Sequence, residues 1–363
     1  MGSIYGRNIR VSLFGQSHGQ GVGVVIDGLP AGFAPDLARL RAFMKRRAPG
    51  QSLLATQRQE ADLFEVLGGL HQGRLCGAPF AAFIRNTDTR SGDYAPLQRL
   101  PRPGHADYPA HVKYAGFQDS AGGGHFSARL TAPLCLAGGL LLQMLEQQGI
   151  TIGAHVAAIG DVQDAPFDPV RPQLHQVQGE HIPVLSAEAG EQMAARVDAA
   201  RLAGDSLGGI IECTATGLPV GWGEPMFEGL ENRIAQAVFG IPAVKGVEFG
   251  SGFAGSKMRG SAHNDAYAVD EQGRVHTLTN RHGGILGGLS TGMPLLLRVA
   301  FKPTASVFMP QPTVDLDTLQ PATLQLKGRH DPCVVPRAVP VVEAALALAL
   351  YDTSLDADKG GTR

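Results

Sequence analysis

Charge is scarce in this chain. Of its 363 residues only 18% are Asp, Glu, Lys or Arg, against roughly a quarter in an ordinary globular protein. The 31 basic and 33 acidic residues nearly cancel, for a formal charge of −2. That balance excludes a domain built to neutralise nucleic-acid phosphates, while leaving room for a local cluster that binds a small anion. Cysteine is sparse too: Cys76, Cys135, Cys213 and Cys333 are scattered with no C-x-x-C pair, so neither a disulfide framework nor a zinc ribbon is indicated and no metal site is expected. The first ten residues have no apolar signal core, and no unbroken apolar run reaches the roughly 18 residues that span a bilayer. The nearest, Leu134–Leu142, stops at Gln143. A soluble, cytoplasmic protein is the expectation. Neither G-x-x-x-x-G-K-[ST] nor G-x-G-x-x-G occurs, which disfavours a P-loop ATPase and a Rossmann dehydrogenase.

Glycine, by contrast, is abundant: 48 residues, nearly double the usual share of about 7%. It shows no collagen period, and 44% of the chain is hydrophobic. Excess glycine in a core-forming chain marks tight turns, or backbone that must approach a ligand closely. Alternation predicts strands at Ile9–Phe14, Val22–Ile26, Gly208–Ala215, Val244–Phe249 and Pro294–Phe301, with a further strand opening 151–200. Helices are predicted from Asp36 to Ala48, for about 18 residues after Ser127, over Ala187–Ala203, near Phe227–Phe239 and over Pro340–Leu350. Thr87–Pro109 reads as a long polar loop. No linker or repeat divides the chain, so one domain of mixed α and β structure over 1–351 is expected, with 352–363 a frayed tail.

Several polar clusters flanked by glycine stand out. Gly15-Gln-Ser17-His-Gly19 matches the G-x-S-x-G nucleophile elbow, but that elbow needs a helix behind it and Val22–Ile26 is strand-like. The serine-hydrolase reading is therefore weak. His105 lies in a loop stiffened by Pro103 and Gly104, with Arg102 as an anion partner and Asp107 able to orient its ring; a merely solvated histidine is the plain alternative. Lys45, Arg46 and Arg47 end a helix, where they either complement its dipole or bind an anion. Arg58, Arg102, Arg129, Arg329 and Arg337 sit beside Gly, Pro or His, and guanidinium forks suit carboxylates and phosphates. With Lys302-Pro-Thr-Ala-Ser306 and Gly328-Arg-His-Asp-Pro332, they point to a small polyanionic ligand.

Taken in order, these segments resemble the chorismate synthase family. The likeness runs from Phe14-Gly-Gln-Ser-His-Gly19 to Arg329-His-Asp-Pro-Cys-Val-Val-Pro-Arg337. Between them lie Gln57-Arg-Gln-Glu60, Asn86-Thr-Asp88, Arg102-Pro-Gly-His-Ala-Asp-Tyr108, Ser127-Ala-Arg129, Gly204-Asp-Ser206, Ala243-Val-Lys-Gly-Val-Glu248, Gly283-Gly-Ile-Leu-Gly-Gly288 and Lys302-Pro-Thr304. The resemblance implies an α+β fold, a single-domain β-α-β sandwich, assembled as a homotetramer. It implies reduced FMN as cofactor, NADPH only as an indirect source of electrons, and trans-1,4-elimination of phosphate from 5-enolpyruvylshikimate 3-phosphate. By the same likeness His18 protonates the departing phosphate, His105 sets the protonation of the reduced flavin, and Asp331 acts near flavin N5. FMN contacts are expected at His125, Phe126, Ser127, Ala243, Gly287, Lys302, Pro303, Thr304, Ala305, Ser306 and Arg329. Arg47, Arg129 and Arg337 would hold the substrate's anions.

Four positions depart from the family pattern. Gln16 stands where an acid is usual, His125 where an Arg begins the flavin loop, Leu53 where a basic residue is common, and Pro242 where Asn precedes A-V-K-G-V-E. A paralogue that binds flavin or a phosphorylated metabolite without this turnover is the alternative they motivate.

Overall fold

The computed structural model describes residues 2–50, 60–88, 97–179, 181–326 and 331–357. Leu53, Arg58 and Arg329 lie outside the described residues. The first sheet comprises β1 (Ile4–Tyr5), β2 (Arg10–Gly15), β3 (Gly21–Asp27), β4 (Phe64–Gly68) and β5 (Phe80–Arg85), in the order β1-β2-β3-β5-β4. Its pairs are antiparallel, and the register stacks Val11 against Ile26, Val24 against Ala82 and Phe64 against Ile84. These residues are buried, because alternate residues of a strand share one face.

A second antiparallel sheet is built from β6 (Thr151–Ile159), β7 (Val162–Gln163), β8 (Gly209–Thr216), β9 (Val244–Phe249) and β10 (Leu295–Phe301), in the order β9-β10-β8-β6-β7. Cys213 pairs with Leu297 on one side and Ala154 on the other. Its thiol is fully buried, and desolvation pushes it well above its ordinary pKa, so it behaves as a small core hydrophobe.

The α-helices of seven or more residues among the described residues are α1 (Leu37–Arg47), α2 (Asp107–Lys113), α3 (Thr131–Gln147), α4 (Ala187–Leu202), α5 (Leu230–Phe239) and α6 (Val335–Ala357). Asp36 caps α1 by accepting from the Arg39 N–H at 2.9 Å, which satisfies one of its orphan donors. α3 packs on β3 and β5 and against α6, while α6 packs on β6 and β8. Both helices are long and apolar enough to cross a membrane, yet 83% and 94% of their most apolar windows are buried. Here that hydrophobicity makes the core between the sheets.

Two glycines allow this packing. A Cβ on Gly138 would stand 2.3 Å from Ala344 Cα, and one on Gly139 would stand 2.6 Å from Leu40 Cδ1. Gly138→Ala is expected to destabilise the fold by about 1–3 kcal/mol, because overpacking against backbone outweighs the helix-propensity gain of about 1 kcal/mol. A denaturation midpoint at or above the parent's would contradict it.

The structure moves three boundaries. Asp107–Lys113 is helical where a loop was expected to reach Pro109; proline is tolerated in that first turn, where backbone N–H groups have no intrahelical acceptor to lose. The final helix starts at Val335, so Pro340 lies inside it rather than at its beginning. It also continues through Ala357: Asp352, Thr353 and Ser354 are buried, so the expected frayed tail does not begin at 352.

Candidate functional site

The loop between β2 and β3 carries Ser17 and His18 into a cavity of about 780 Å³. Gly15 pairs with Val22 across this loop, so a strand follows it and the geometry is not that of a nucleophile elbow. Asn86, just past β5, fixes the loop. Its Nδ2 donates to the carbonyls of Gln16 and Gly19, each at 2.9 Å, and its backbone N–H donates to the Gln20 carbonyl at 3.1 Å. The neutral Gln16 therefore contributes its main chain to the same brace.

Residues Gly122, Gly123 and Gly124 run alongside, all with positive φ (60°, 87° and 52°). A Cβ on Gly122 would lie 2.2 Å from the His18 ring, and one on Gly123 would lie 3.1 Å from the His105 ring. Two adjacent bare backbone positions thus seat the two histidines. Only glycine accepts both this conformation and this closeness.

His105 belongs to a tight charged knot. Its Nδ1 lies 2.5 Å from Asp107 Oδ1, while Arg102 grips the same carboxylate through Nε (2.7 Å) and a terminal nitrogen (2.8 Å). Burial alone would raise the Asp107 pKa. Hydrogen bonds from Arg102 and His105 win, and hold it well below the usual carboxylate range. Arg102 also donates to Ser306 Oγ at 3.1 Å, joining this loop to the one after β10.

A buried ionic lattice carries the arginines. Arg47, from the end of α1, lies 3.0 Å from Asp62; Arg129 pairs with the other oxygen of Asp62 and lies 3.0 Å from Glu60. Arg129 also donates from Nε to Asn86 Oδ1 at 2.9 Å. Asp62 is raised by burial, but the two arginines overcome this and leave it below its ordinary value. Arg337 donates to Asp331 at 2.5 Å and, from Nε, to the Arg47 carbonyl at 3.1 Å. All three expected anion-binding arginines therefore line one cavity, each paired with a carboxylate.

Depressed carboxylates contribute stability above their unfolded pKa, about 3.9, and lose it as pH falls through the folded value. Denaturant midpoints are accordingly expected to fall steeply below about pH 4. Asp107→Asn is expected to be less stable at neutral pH and to show a shallower acid decline; parallel profiles would argue against this linkage.

The opposite wall comes from the second sheet. Ala243 adopts φ +73°, a strained geometry for a residue with a Cβ, and its carbonyl accepts from the Lys302 N–H at 2.9 Å. Burial, and then the neighbouring Lys245 charge, lowers the Lys302 ammonium from its ordinary pKa. Thr304 Oγ1 is buried with no hydrogen-bond partner. Two cations that repel each other and an orphaned hydroxyl form a cradle suited to an anionic group. On the side of the first sheet His125 is pinned, Nδ1 at 2.9 Å from the Gly15 carbonyl and Nε2 at 2.7 Å from Ser3 Oγ. Phe126 and Ser127 follow it on the wall.

His18, His105, Asp331, His125, Phe126, Ser127, Ala243, Lys302, Thr304, Ala305 and Ser306 thus meet in one cavity. Pro303 is exposed, and Gly287 lies in an exposed turn between Leu286 and Leu289; neither is among the cavity's lining residues. Sequence reasoning named no role for Glu60, Asp62 or Lys245. Glu60 and Lys245 lie inside quoted motifs, which was the available signal; Asp62 had none.

The fold and the cavity define an α+β protein with an arginine-lined cavity furnished with three histidines, His18, His105 and His125. The chain belongs to the chorismate synthase family, whose description matches residues 9–355. It is 46% identical over 361 residues to the chorismate synthase of Korarchaeum cryptofilum (strain OPF8), covering 99% of each chain. It is 47% identical over 356 residues to that of Synechococcus sp. (strain RCC307), covering 98% of each. A solved structure titled "Crystal Structure of Chorismate Synthase" superposes with a TM-score of 0.72 at 27% identity, over 97% of this chain and 93% of the other.

Proposed function

We propose that this protein is a lyase that eliminates phosphate from 5-enolpyruvylshikimate 3-phosphate to give chorismate, with reduced FMN as cofactor. The observation that carries the reading is the convergence of His18 and His105, on adjacent glycines, with Arg47, Arg129 and Arg337. The substrate bears two carboxylates and a phosphate, and bidentate guanidinium groups match such anions. Because internal carboxylates already hydrogen-bond Arg129 and Arg337, binding costs little further ordering of those side chains.

In the overall reaction the C–O bond to phosphate breaks, a C–H bond is lost and a new C=C bond forms. His18, as an imidazolium, donates a proton to the departing phosphate and offsets its growing charge. Arg337 holds the Asp331 carboxylate in place, and the Arg102–Asp107 pair orients His105. The residues present fit FMN: Lys302, Lys245 and the Thr304 hydroxyl would receive its anionic group, with Ser306, Ala243 and Ser127 as further contacts. When bound, reduced FMN supplies the electron density that lets phosphate leave and the acceptor for a poorly acidic hydrogen. The protein supplies placement, charge and exclusion of water. A β-α-β sandwich, a cytoplasmic homotetramer and a place in aromatic amino-acid biosynthesis belong to the same reading, with NADPH an indirect electron source.

The test is an anaerobic assay with photoreduced FMN, following phosphate and chorismate together. Stoichiometric release that is absent with oxidised FMN is expected. Binding of both ligands without product would instead favour the non-catalytic paralogue.

A further inference from the structure

Asn86 spends its whole side-chain amide on two elements of the site. Both Nδ2 hydrogens go to the loop that carries His18, at the carbonyls of Gln16 and Gly19 (2.9 Å each), and Oδ1 accepts from Arg129 Nε at 2.9 Å. No other uncharged side chain of this length offers two donors and an acceptor in one plane. The main chain of the loop is also tied by Ser17 N–H to the Gly124 carbonyl at 3.1 Å, Gln16 N–H to the Gly21 carbonyl at 3.4 Å, a turn from Gly19 to Gln16 at 3.3 Å, and the Asn86 N–H to the Gln20 carbonyl at 3.1 Å. Arg129, in contrast, is anchored independently by Asp62 and Glu60. Asn86 therefore refers the position of the His18 loop to a guanidinium that is already fixed.

Resting on the elimination chemistry proposed above, we propose that Asn86 is a positioning residue that couples the anion-binding arginine to the proton-donating histidine. The coupling is geometric. Gly122 leaves the His18 ring no slack on one side, so a shift of the loop by a fraction of an ångström either presses the ring on backbone or turns it from the cavity. An anion drawn to Arg129 is then met by a histidine whose loop shares the same reference point.

Asn86→Asp separates the two halves of the coupling, because it keeps an acceptor for Arg129 and removes both donors to the loop. The expected result is a kcat lower by about tenfold with KM within about threefold of the parent, the signature of an interaction that matters in the transition state. In the His18→Ala background the same change is expected to cost less than about twofold, since a residue acting through His18 has nothing left to position. Equal losses in both backgrounds, or a loss confined to KM, would overturn the proposal. Asn86→Ala is the companion variant should the aspartate disturb folding, checked by its melting temperature.

A second measurement does not need turnover. The His18 ring signal, assigned by its disappearance in His18→Ala, is titrated by NMR without ligand in the parent and in Asn86→Asp. A displaced shift or midpoint supports the coupling, and superimposable curves reject it. If no lyase activity is found under any condition, the reaction assignment fails while this titration still decides the role of Asn86.

Discussion

His18→Ala is expected to lower turnover by at least about tenfold, the minimum for losing a positioned general acid, and His105→Ala is expected to do the same. Both proteins are expected to remain folded, because each imidazole faces a cavity rather than the core. The two losses differ in character. His18 rests against Gly122 in a hairpin loop, so its removal withdraws the proton offered to the departing phosphate. His105 is bound to the Arg102–Asp107 pair, so its removal also frees a carboxylate hydrogen bond and disturbs the loop reaching Ser306. The His105 variant is therefore expected to weaken FMN binding as well, whereas the His18 variant is not. Steady-state kinetics with flavin titration separates them. Parent-like turnover in both variants would remove the assigned roles.

The largest stability effect is expected outside the site, at Asp352. Its carboxylate accepts from the backbone N–H groups of Arg7 (3.0 Å), Asn8 (2.7 Å) and Ile9 (3.0 Å), and it is 3% exposed. One side chain near the end of α6 thus satisfies three successive donors that lead into β2. Ile9 is fully buried, so its amide has no route to water once the carboxylate is gone. Asp352→Ala is expected to cost about 3–5 kcal/mol, counting roughly 1–3 for each donor left unsatisfied and less where solvent reaches Arg7 and Asn8. Asp352→Asn, which keeps an acceptor, is expected to lose less. A chain cut after Tyr351 is expected to behave like the alanine variant, where a frayed tail would be removed at no cost. Equilibrium denaturation decides between them, and a parent-like midpoint would show the bonds to be dispensable.

Asp352 also illustrates what a sequence conceals. Asp352, Thr353 and Ser354 read as a polar exit from a hydrophobic helix, but each is satisfied within the fold: Thr353 Oγ1 donates to the Ala349 carbonyl and Ser354 Oγ to that of Tyr351, both at 2.8 Å. Hydropathy registers polarity and not whether a partner exists. β3 was legible because Val22, Val24 and Ile26 alternate toward a single buried face, and α1 because Asp36 caps it. The histidines and arginines were legible as ordered clusters among glycines. Asp62 was not, since its meaning lies in Arg47 and Arg129, which reach it from distant segments. Gly122 and Gly123 stand in the sequence within a run of three glycines, but which rings they admit is a fact of three-dimensional proximity.

The Arg337–Arg47 contact has a consequence for biosynthesis. Arg337 opens α6 and bonds the main chain at the end of α1, and α6 fills the space beside α3 and the second sheet. A nascent chain that has emerged only as far as β10 has both sheets' strands but neither this arginine nor the helix that covers their apolar faces. Such an intermediate exposes unpaired hydrophobic surface and depends on shielding until the last segment arrives. Emergence of α6 then completes the core and the anion site together.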